Sequence, residues 1–281
     1  MKIQRKPEWL RKKVPQGEQA AMRGLLSELK LNTVCQQALC PNISECFGCG
    51  QATFLILGRD CTRQCSFCNV DKAPKPQAPD ADEPRRLSEA VLRLKLSHVV
   101  ITSPTRDDLP DGGAGHYAAT VAAVREVSPA TAVELLVPDF GGDHSFLATV
   151  LAAQPAILAH NLETVPRLYE VRKGADYQRS LNLLEQAARL APAIPTKSGI
   201  MLGLGEELDE VRTVMQDLRQ VGCSYLSLGQ YLAPSKRHQP VVAYLEPQLF
   251  DQLRDEALAL GFRHVESGPY VRSSYHASNY A

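Results

Sequence analysis

The chain carries no surplus of charge. Thirty-one basic residues stand against thirty-one acidic ones, so no global field draws it toward nucleic acid or an anionic membrane, and any partner must be recognised locally. No run approaches the roughly 20 apolar residues that a membrane helix needs. The basic start, Lys2 to Lys13, lacks the apolar core of a secretory signal and the serines of an organellar presequence. It contains Pro7 and Glu8 and is followed by Pro15, and no serine precedes Ser27. A solvated arm on a soluble, cytoplasmic protein is the expectation. Internal repeats and low-complexity tracts are also missing, apart from a proline-rich turn at Ala73 to Pro79. No shift in composition divides the 281 residues into halves, so one large domain with terminal extensions is expected. An apolar share of 44% and a charged share of 22% exclude a disordered or collagen-like chain.

Cysteine is nearly absent from most of the chain. Of eight, only Cys223 lies outside the segment from Cys35 to Cys68. A disulfide framework for a protein of this size would tie distant segments together, whereas clustered thiols point to metal. Cys223, in an apolar strand approach, reads as a core thiol.

What is abundant is alternation of short apolar runs with longer helical stretches, the mark of parallel β/α architecture. An amphipathic helix spans Gln19 to Lys30, with Met22, Leu25, Leu26 and Leu29 on one face. Strands are expected at Thr53 to Gly58, His98 to Ser103, Ala132 to Pro138, Ile157 to Asn161, Ser198 to Leu204 and Tyr225 to Tyr231. Helices are expected at Leu87 to Leu96, His116 to Val127, Ser145 to Ala153, Ser180 to Leu190, Leu208 to Val221 and Gln248 to Leu260. Six strand–helix units make an α/β fold of the partial (β/α)6 TIM-type barrel, open rather than closed. Functional groups should gather at the strand C-terminal ends, where Thr102, Asp139, His160, Asn161, Glu163, Gln230 and Tyr231 fall. The expected division is an N-terminal extension over 1–52, a barrel over 53–262 and a C-terminal extension over 263–281.

After the first strand comes Cys61-Thr62-Arg63-Gln64-Cys65-Ser66-Phe67-Cys68, a C-x3-C-x2-C motif. Three thiolates so spaced can hold three irons of a [4Fe–4S] cube and leave the fourth open to a substrate. A zinc site usually pairs two C-x2-C units or adds histidine, and the three-residue first gap, the missing fourth cysteine and the strand-end position all favour the cube. At this loop the sequence resembles the radical S-adenosylmethionine superfamily. The resemblance implies that the open iron chelates S-adenosylmethionine and that reductive cleavage yields a 5′-deoxyadenosyl radical. Upstream lies a second triad, Cys35, Cys40 and Cys46, at C-x4-C-x5-C spacing. Taken alone it stays open: Cys49 follows Cys46 at C-x2-C spacing and could be a fourth ligand, or the segment could bind zinc.

Both triads in this order, with Pro7-Glu8-Trp9-Leu10, Ala52-Thr53-Phe54, Arg106 to Gly113, Pro138-Asp139-Phe140, His160 to Val165, Gly229-Gln230-Tyr231-Leu232 and Arg272-Ser273-Ser274-Tyr275, make nearly the whole chain resemble the lipoyl synthase family. The resemblance implies a second, auxiliary [4Fe–4S] cluster held by Cys35, Cys40 and Cys46, with Ser274 of the R-S-S-Y motif as fourth ligand. It implies insertion of two sulfur atoms at C6 and C8 of an octanoyl chain on a carrier-domain lysine, with the auxiliary cluster as sulfur source. The expected partners are octanoylated lipoyl carrier domains (2-oxoacid dehydrogenase E2 subunits and the glycine-cleavage H protein), an electron donor such as flavodoxin or ferredoxin, and an iron–sulfur carrier that rebuilds the spent cluster. No nucleic acid or membrane is expected.

Asn161, Glu163, Arg172 and Gln230 are expected to contact S-adenosylmethionine, against a reading in which they make rim salt bridges or close the last strand. His160 reads as a packed rim residue. Arg106, Asp107 and Asp108 form a charged loop that either faces the substrate or is a solvated turn. Two features depart from the family pattern: Pro104-Thr105 replaces a valine–aspartate pair before Arg106, which stiffens the loop, and Cys49 stands where many relatives have no thiol. The rivals are another sulfur-inserting or methylthio-transferring radical enzyme and, in a different class, an iron–sulfur electron carrier or zinc-stabilised binding module. Release of 5′-deoxyadenosine on reduction separates the enzyme from the carrier.

Overall fold

The computed structural model describes residues 6–11 and 19–280. Of the basic arm Lys2 to Lys13, only residues 6–11 fall among them.

The N-terminal segment contributes α1 (Gln19–Glu28), a short strand β1 (Asn32–Thr33), and the small helices α2 (Val34–Gln37) and α3 (Ile43–Gly48) that carry the first cysteines. The alternation read from the sequence then begins. Strand β2 (Thr53–Leu55) is followed by the radical-motif loop, which contains the bridge-length strands β3 (Asp60–Cys61) and β4 (Asp71–Lys72). Helix α4 (Glu83–Leu94), β5 (His98–Thr102), α5 (Ala114–Val127), β6 (Ala132–Leu136), α6 (His144–Ala152) and β7 (Ile157–Ala159) come next. They are followed by α7 (Tyr177–Leu190), β8 (Thr196–Leu202), α8 (Leu208–Gln220), β9 (Tyr225–Gln230), α9 (Pro247–Ala259) and β10 (His264–Gly268).

The main sheet has the order β1-β2-β5-β6-β7-β8-β9-β10. β1 pairs antiparallel to β2, and every later pairing is parallel. Among the described residues β10 pairs with β9 alone, so the sheet does not close on its first strand. All six expected strands are present. A seventh parallel strand, β10, follows α9 inside the stretch assigned to the C-terminal extension, so the barrel continues to Gly268. Its sequence, His-Val-Glu-Ser-Gly, has one apolar side chain and gives no apolar run to read.

Local chemistry sets the element ends. Asp143 and Asp176 accept the backbone N–H groups of Ser145 and Arg179 and cap α6 and α7. Glu207 and Glu210 form a reciprocal capping box on α8. Pro84 and Pro247 sit in the first turns of α4 and α9. Strands are apolar on both faces because helices cover the outside and side chains fill the inside: Val99, Ile101, Leu135, Leu158, Ile200, Leu226 and Leu228 are all buried. Cys223 is wholly buried in this core, as expected.

One buried polar cluster sits among the barrel strands. Lys197 Nζ lies 3.0 Å from Glu134, both side chains fully buried, with the Tyr280 ring 3.7 Å from the ammonium. Tyr280 belongs to a 3-10 turn (Ala277–Tyr280) and donates its hydroxyl to the Leu226 carbonyl, tying that turn to the barrel strands.

Candidate functional site

The chain leaves β2 through a strained turn. Leu57 has φ +68° and Gly58 +90°. Two buried charged groups hold that turn: Glu83 accepts the Leu57 N–H at 2.8 Å and faces His116 Nε2 at 2.8 Å, while Arg106 donates to the Leu57 carbonyl at 2.7 Å and to both oxygens of Asp108. Arg106 is 1% exposed, so the Arg-Asp-Asp segment is neither a substrate-facing loop nor a solvated turn at this residue. It is a brace for the radical motif. Gly113, at φ +89°, completes the brace because a Cβ there would run into the Leu57 side chain.

The loop that follows is pinned from several sides. Thr62 donates its N–H to the Thr105 carbonyl, Ser66 donates to Val171, Gln239 donates to Ser66, and Lys72 Nζ donates to the Cys65 carbonyl. Arg63, between the first two cysteines, makes a two-pronged contact with Asp107 at 2.9 Å and reaches fully buried Asp139 at 2.5 Å. Arg179 holds the other oxygen of Asp139 at 2.9 Å. Burial works against the Arg63 cation, but Asp107 and Asp139 outweigh it and hold it above its ordinary range. Burial likewise opposes the Asp139 carboxylate, yet Arg63 keeps it well below the usual range.

So held, Cys61, Cys65 and Cys68 face a cavity of about 490 Å³ at the C-terminal ends of the strands. Its walls also include Cys35 and Cys40 from the N-terminal segment, Asn161, Glu163 and Arg172 from the region after β7, and Ser273 and Ser274 from the C-terminal extension. Pro104 and Thr105 line it too, so the departure from the family pattern touches the cavity itself. Next to it lies a smaller space of about 50 Å³ lined by Cys35, Cys40, Cys46, Thr53, His98, Arg272 and Ser274 among others.

Folding therefore brings the two triads and Ser274 together from three separate stretches. Thr53 is the joint between them: its backbone N–H points to Cys35 Sγ at 3.5 Å, and its hydroxyl donates to Ser274 Oγ at 2.7 Å. The C-terminal extension is tied down by Asn42 Nδ2 on the Tyr270 carbonyl at 2.7 Å and by the Tyr275 hydroxyl on Glu45 at 2.9 Å. Cys49, exposed at the end of α3, lines neither space.

This donor set suits iron–sulfur clusters. Cys35, Cys40, Cys61, Cys65 and Cys68 are free thiols. Burial raises the pKa of Cys35 and Cys65, and pushes that of Cys68 up to about 12. Such pockets disfavour thiolates unless a metal centre compensates them. Among the described residues no three His, Cys, Asp or Glu side chains converge on one ion. A four-iron cube, by contrast, spreads its ligands over different irons.

Across the large cavity the zwitterion-binding candidates form a chain. Ser273 Oγ donates to Asn161 Oδ1 at 3.0 Å, and Asn161 Nδ2 donates to Glu163 Oε1 at 3.0 Å. Arg172 Nη1 donates to the Asn161 carbonyl at 2.9 Å and the Tyr169 hydroxyl at 2.6 Å. Glu163 holds φ +66°, an uncommon conformation for a residue with a side chain. Burial raises its pKa, opposed by Arg172 and Asn161. His160 is packed, as expected: its ring nitrogens meet the Val137 carbonyl at 2.8 Å and Ser180 Oγ at 3.0 Å. Burial, then Arg172, pushes it down to about 4.

Gln230 does not join this group. Its Nε2 donates to the carbonyls of Leu202, Tyr231 and Ala243 at 3.0, 3.1 and 3.0 Å, and its Oε1 accepts the Leu245 N–H at 2.9 Å. Both ends of the amide are engaged by backbone, so Gln230 fastens the loop after β9. Leu232, Ala233 and Pro234 reach the cavity from that loop instead. Glu83 is a functional support that the sequence reading missed. Thr53, Arg63, Asp107 and Asp139 lay within recognised motifs or at a strand end, but their roles as supports were not read.

A radical SAM superfamily model matches residues 55–218. Solved structures of the same fold include methylornithine synthase (PylB), with a TM-score of 0.55 at 16% identity over 89% of this chain and 83% of that one. Streptococcus suis SuiB bound to S-adenosylmethionine matches with a TM-score of 0.56 at 10% identity, over 80% of this chain and 52% of that one. A lipoyl synthase of Trichlorobacter lovleyi is 93% identical over the full length of both chains. One from Citrifermentans bemidjiense is 66% identical over 98% of this chain and 94% of its own. One from Caldicellulosiruptor saccharolyticus is 51% identical over 96% and 95%. On the strength of these matches along its whole length, the chain belongs to the lipoyl synthase family of the radical SAM superfamily.

Proposed function

We propose that this enzyme replaces one C–H bond at C6 and one at C8 of a protein-bound N6-octanoyl-lysine by C–S bonds, and that its two cysteine triads divide the labour. The observation that carries the reading is one cavity walled by members of both triads, with Ser274 beside the first. When bound, the cluster on Cys61, Cys65 and Cys68 with S-adenosylmethionine supplies 5′-deoxyadenosyl radicals, one per C–H bond, and the auxiliary cluster on Cys35, Cys40, Cys46 and Ser274 supplies the sulfur.

The residues then have distinct work. Arg63, Asp107 and Asp139 fix the radical loop against the barrel rim. Asn161, Glu163 and Arg172 offer an amide, a carboxylate and a guanidinium to the charged groups of S-adenosylmethionine. Thr53 donates to Ser274 and so lowers the cost of a hydroxyl ligand taking negative charge. Leu55, Val70, Leu136 and Val137 give the cavity an apolar wall suited to an octanoyl chain. The substrates are octanoylated lipoyl carrier domains, the E2 subunits and the H protein, with flavodoxin or ferredoxin as reductant and an iron–sulfur carrier to rebuild the spent cluster.

Anaerobic reconstitution followed by a single turnover on an octanoyl-lysyl peptide tests this. The expected loading is about eight irons per chain. Alanine at Cys35, Cys40 or Cys46 should spare 5′-deoxyadenosine release and abolish thiolation, whereas alanine at Cys61, Cys65 or Cys68 should abolish both. Equal loss of S-adenosylmethionine cleavage in the two sets defeats the division, and deoxyadenosine without thiolated product from the unaltered enzyme defeats the reaction.

A further inference from the structure

Arg272 is a half-buried cation that the described residues do not balance. It lines both cavities, and its Nη1 donates to the Val271 carbonyl at 2.6 Å. Among the described residues no carboxylate lies within ion-pair distance of it, whereas buried Arg63 and Arg106 each have aspartate partners. A charged neighbour of like sign, Lys6, lines the larger cavity as well. Gly229 in β9 makes room for the backbone of this segment, since a Cβ there would run into the Val271 carbonyl. Two residues on, Ser274 is tethered to Thr53.

A guanidinium taken out of water without a partner is costly, and it persists where an anion completes it. Of the occupants proposed above, S-adenosylmethionine is too large for the smaller cavity of about 50 Å³, and the octanoyl chain carries no charge. That smaller space is lined by Arg272 together with all three cysteines of the first triad and Ser274. Three thiolates and an alkoxide outweigh the charge of a four-iron core, so a cluster there is the missing anion.

We infer that Arg272 is the counter-charge of the auxiliary cluster and holds its reduction potential up, an inference that rests on the first triad being a cluster site. Reduction adds negative charge, so a neighbouring cation with N–H donors stabilises the reduced form more than the oxidised one. Removing it shifts the potential to more negative values.

The test uses the full chain carrying Cys61→Ala, Cys65→Ala and Cys68→Ala, reconstituted with ferrous iron and sulfide, which leaves about four irons on the first triad. A parent that takes up no iron defeats the cluster reading before Arg272 is touched, and the inference with it. With the parent loaded, Arg272→Gln should give a more negative midpoint in an EPR-monitored titration, with Arg272→Lys returning toward the parent. An unchanged midpoint in a fully loaded Arg272→Gln overturns the inference. If Arg272→Gln loads no iron, Arg272→Lys decides: loading with a near-parent midpoint supports the counter-charge, and failure to load overturns it. The same changes in the chain lacking Cys35, Cys40 and Cys46 should move the radical cluster's midpoint less. An equal shift there overturns the assignment to the auxiliary site.

Discussion

Arg63 clamps the radical loop to the barrel rim, and Arg63→Met tests that clamp. Arg63 contacts two carboxylates of unequal value. Asp107 is 45% exposed, so that pair contributes no more than about 1 kcal/mol. Asp139 is fully buried, and removing one partner of a buried pair costs about 3–5 kcal/mol because the other charge is stranded. Here Arg179 still holds the second Asp139 oxygen, which places the expected loss near the lower end, about 3 kcal/mol. For a chain of this size that lowers the melting midpoint by about 6 °C. The assay is a circular-dichroism melt of the apo chain for Arg63→Met, Asp139→Asn and the pair together. Asp139→Asn should cost no less, since it leaves two guanidinium groups facing a neutral amide. The double variant should fall short of the sum by about 1–3 kcal/mol. Additivity within about 0.5 kcal/mol would refute the coupling on which the clamp depends. On reconstitution, Arg63→Met should lose S-adenosylmethionine cleavage while its first triad still takes up iron.

Three further outcomes are expected. Gly113→Ala should destabilise by about 3 kcal/mol in urea unfolding, combining a left-handed backbone with a clash on Leu57, and no change in midpoint would remove Gly113 from the brace. His160 is held at about 4 in the fold against about 6.5 unfolded. The unfolded chain thus binds the extra proton, and the neutral ring's contribution is full above pH 6.5 and lost as pH falls from there toward 4. Between pH 7 and 5 the fold should lose about 2 kcal/mol that His160→Asn does not lose, and parallel pH profiles would contradict the buried neutral imidazole. Lys197→Met removes the ammonium from buried Glu134, leaving His98 Nε2 3.4 Å from it, and should cost about 3–5 kcal/mol. A Lys197→Met, Glu134→Leu double variant should recover most of it, and failure to recover would mean the site needs more than charge balance.

The sequence by itself determined what depends on near neighbours. The C-x3-C-x2-C spacing and the alternation of apolar strand runs with helical periods are local signals, so the radical loop, six strands and their helices were legible within a few residues. Strand β10 was not, because its stability comes from pairing with β9 rather than from an apolar run. The assignments that only the tertiary structure decided involve polar groups whose partner is far along the chain. Arg106 looked like a rim charge until the fold buried it against the Leu57 carbonyl, 49 residues away. Gln230 looked like a cofactor contact until the loop after β9 engaged both ends of its amide. Thr53 meets Ser274 across 221 residues, and Arg272 comes to line the first triad's cavity from a segment whose Val271 carbonyl packs against Gly229 where no Cβ would fit. A polar side chain at a strand end can face ligand, solvent or backbone, and its residue type is the same in each case. Curling of the sheet decides among them, because burial requires every such group to find a partner.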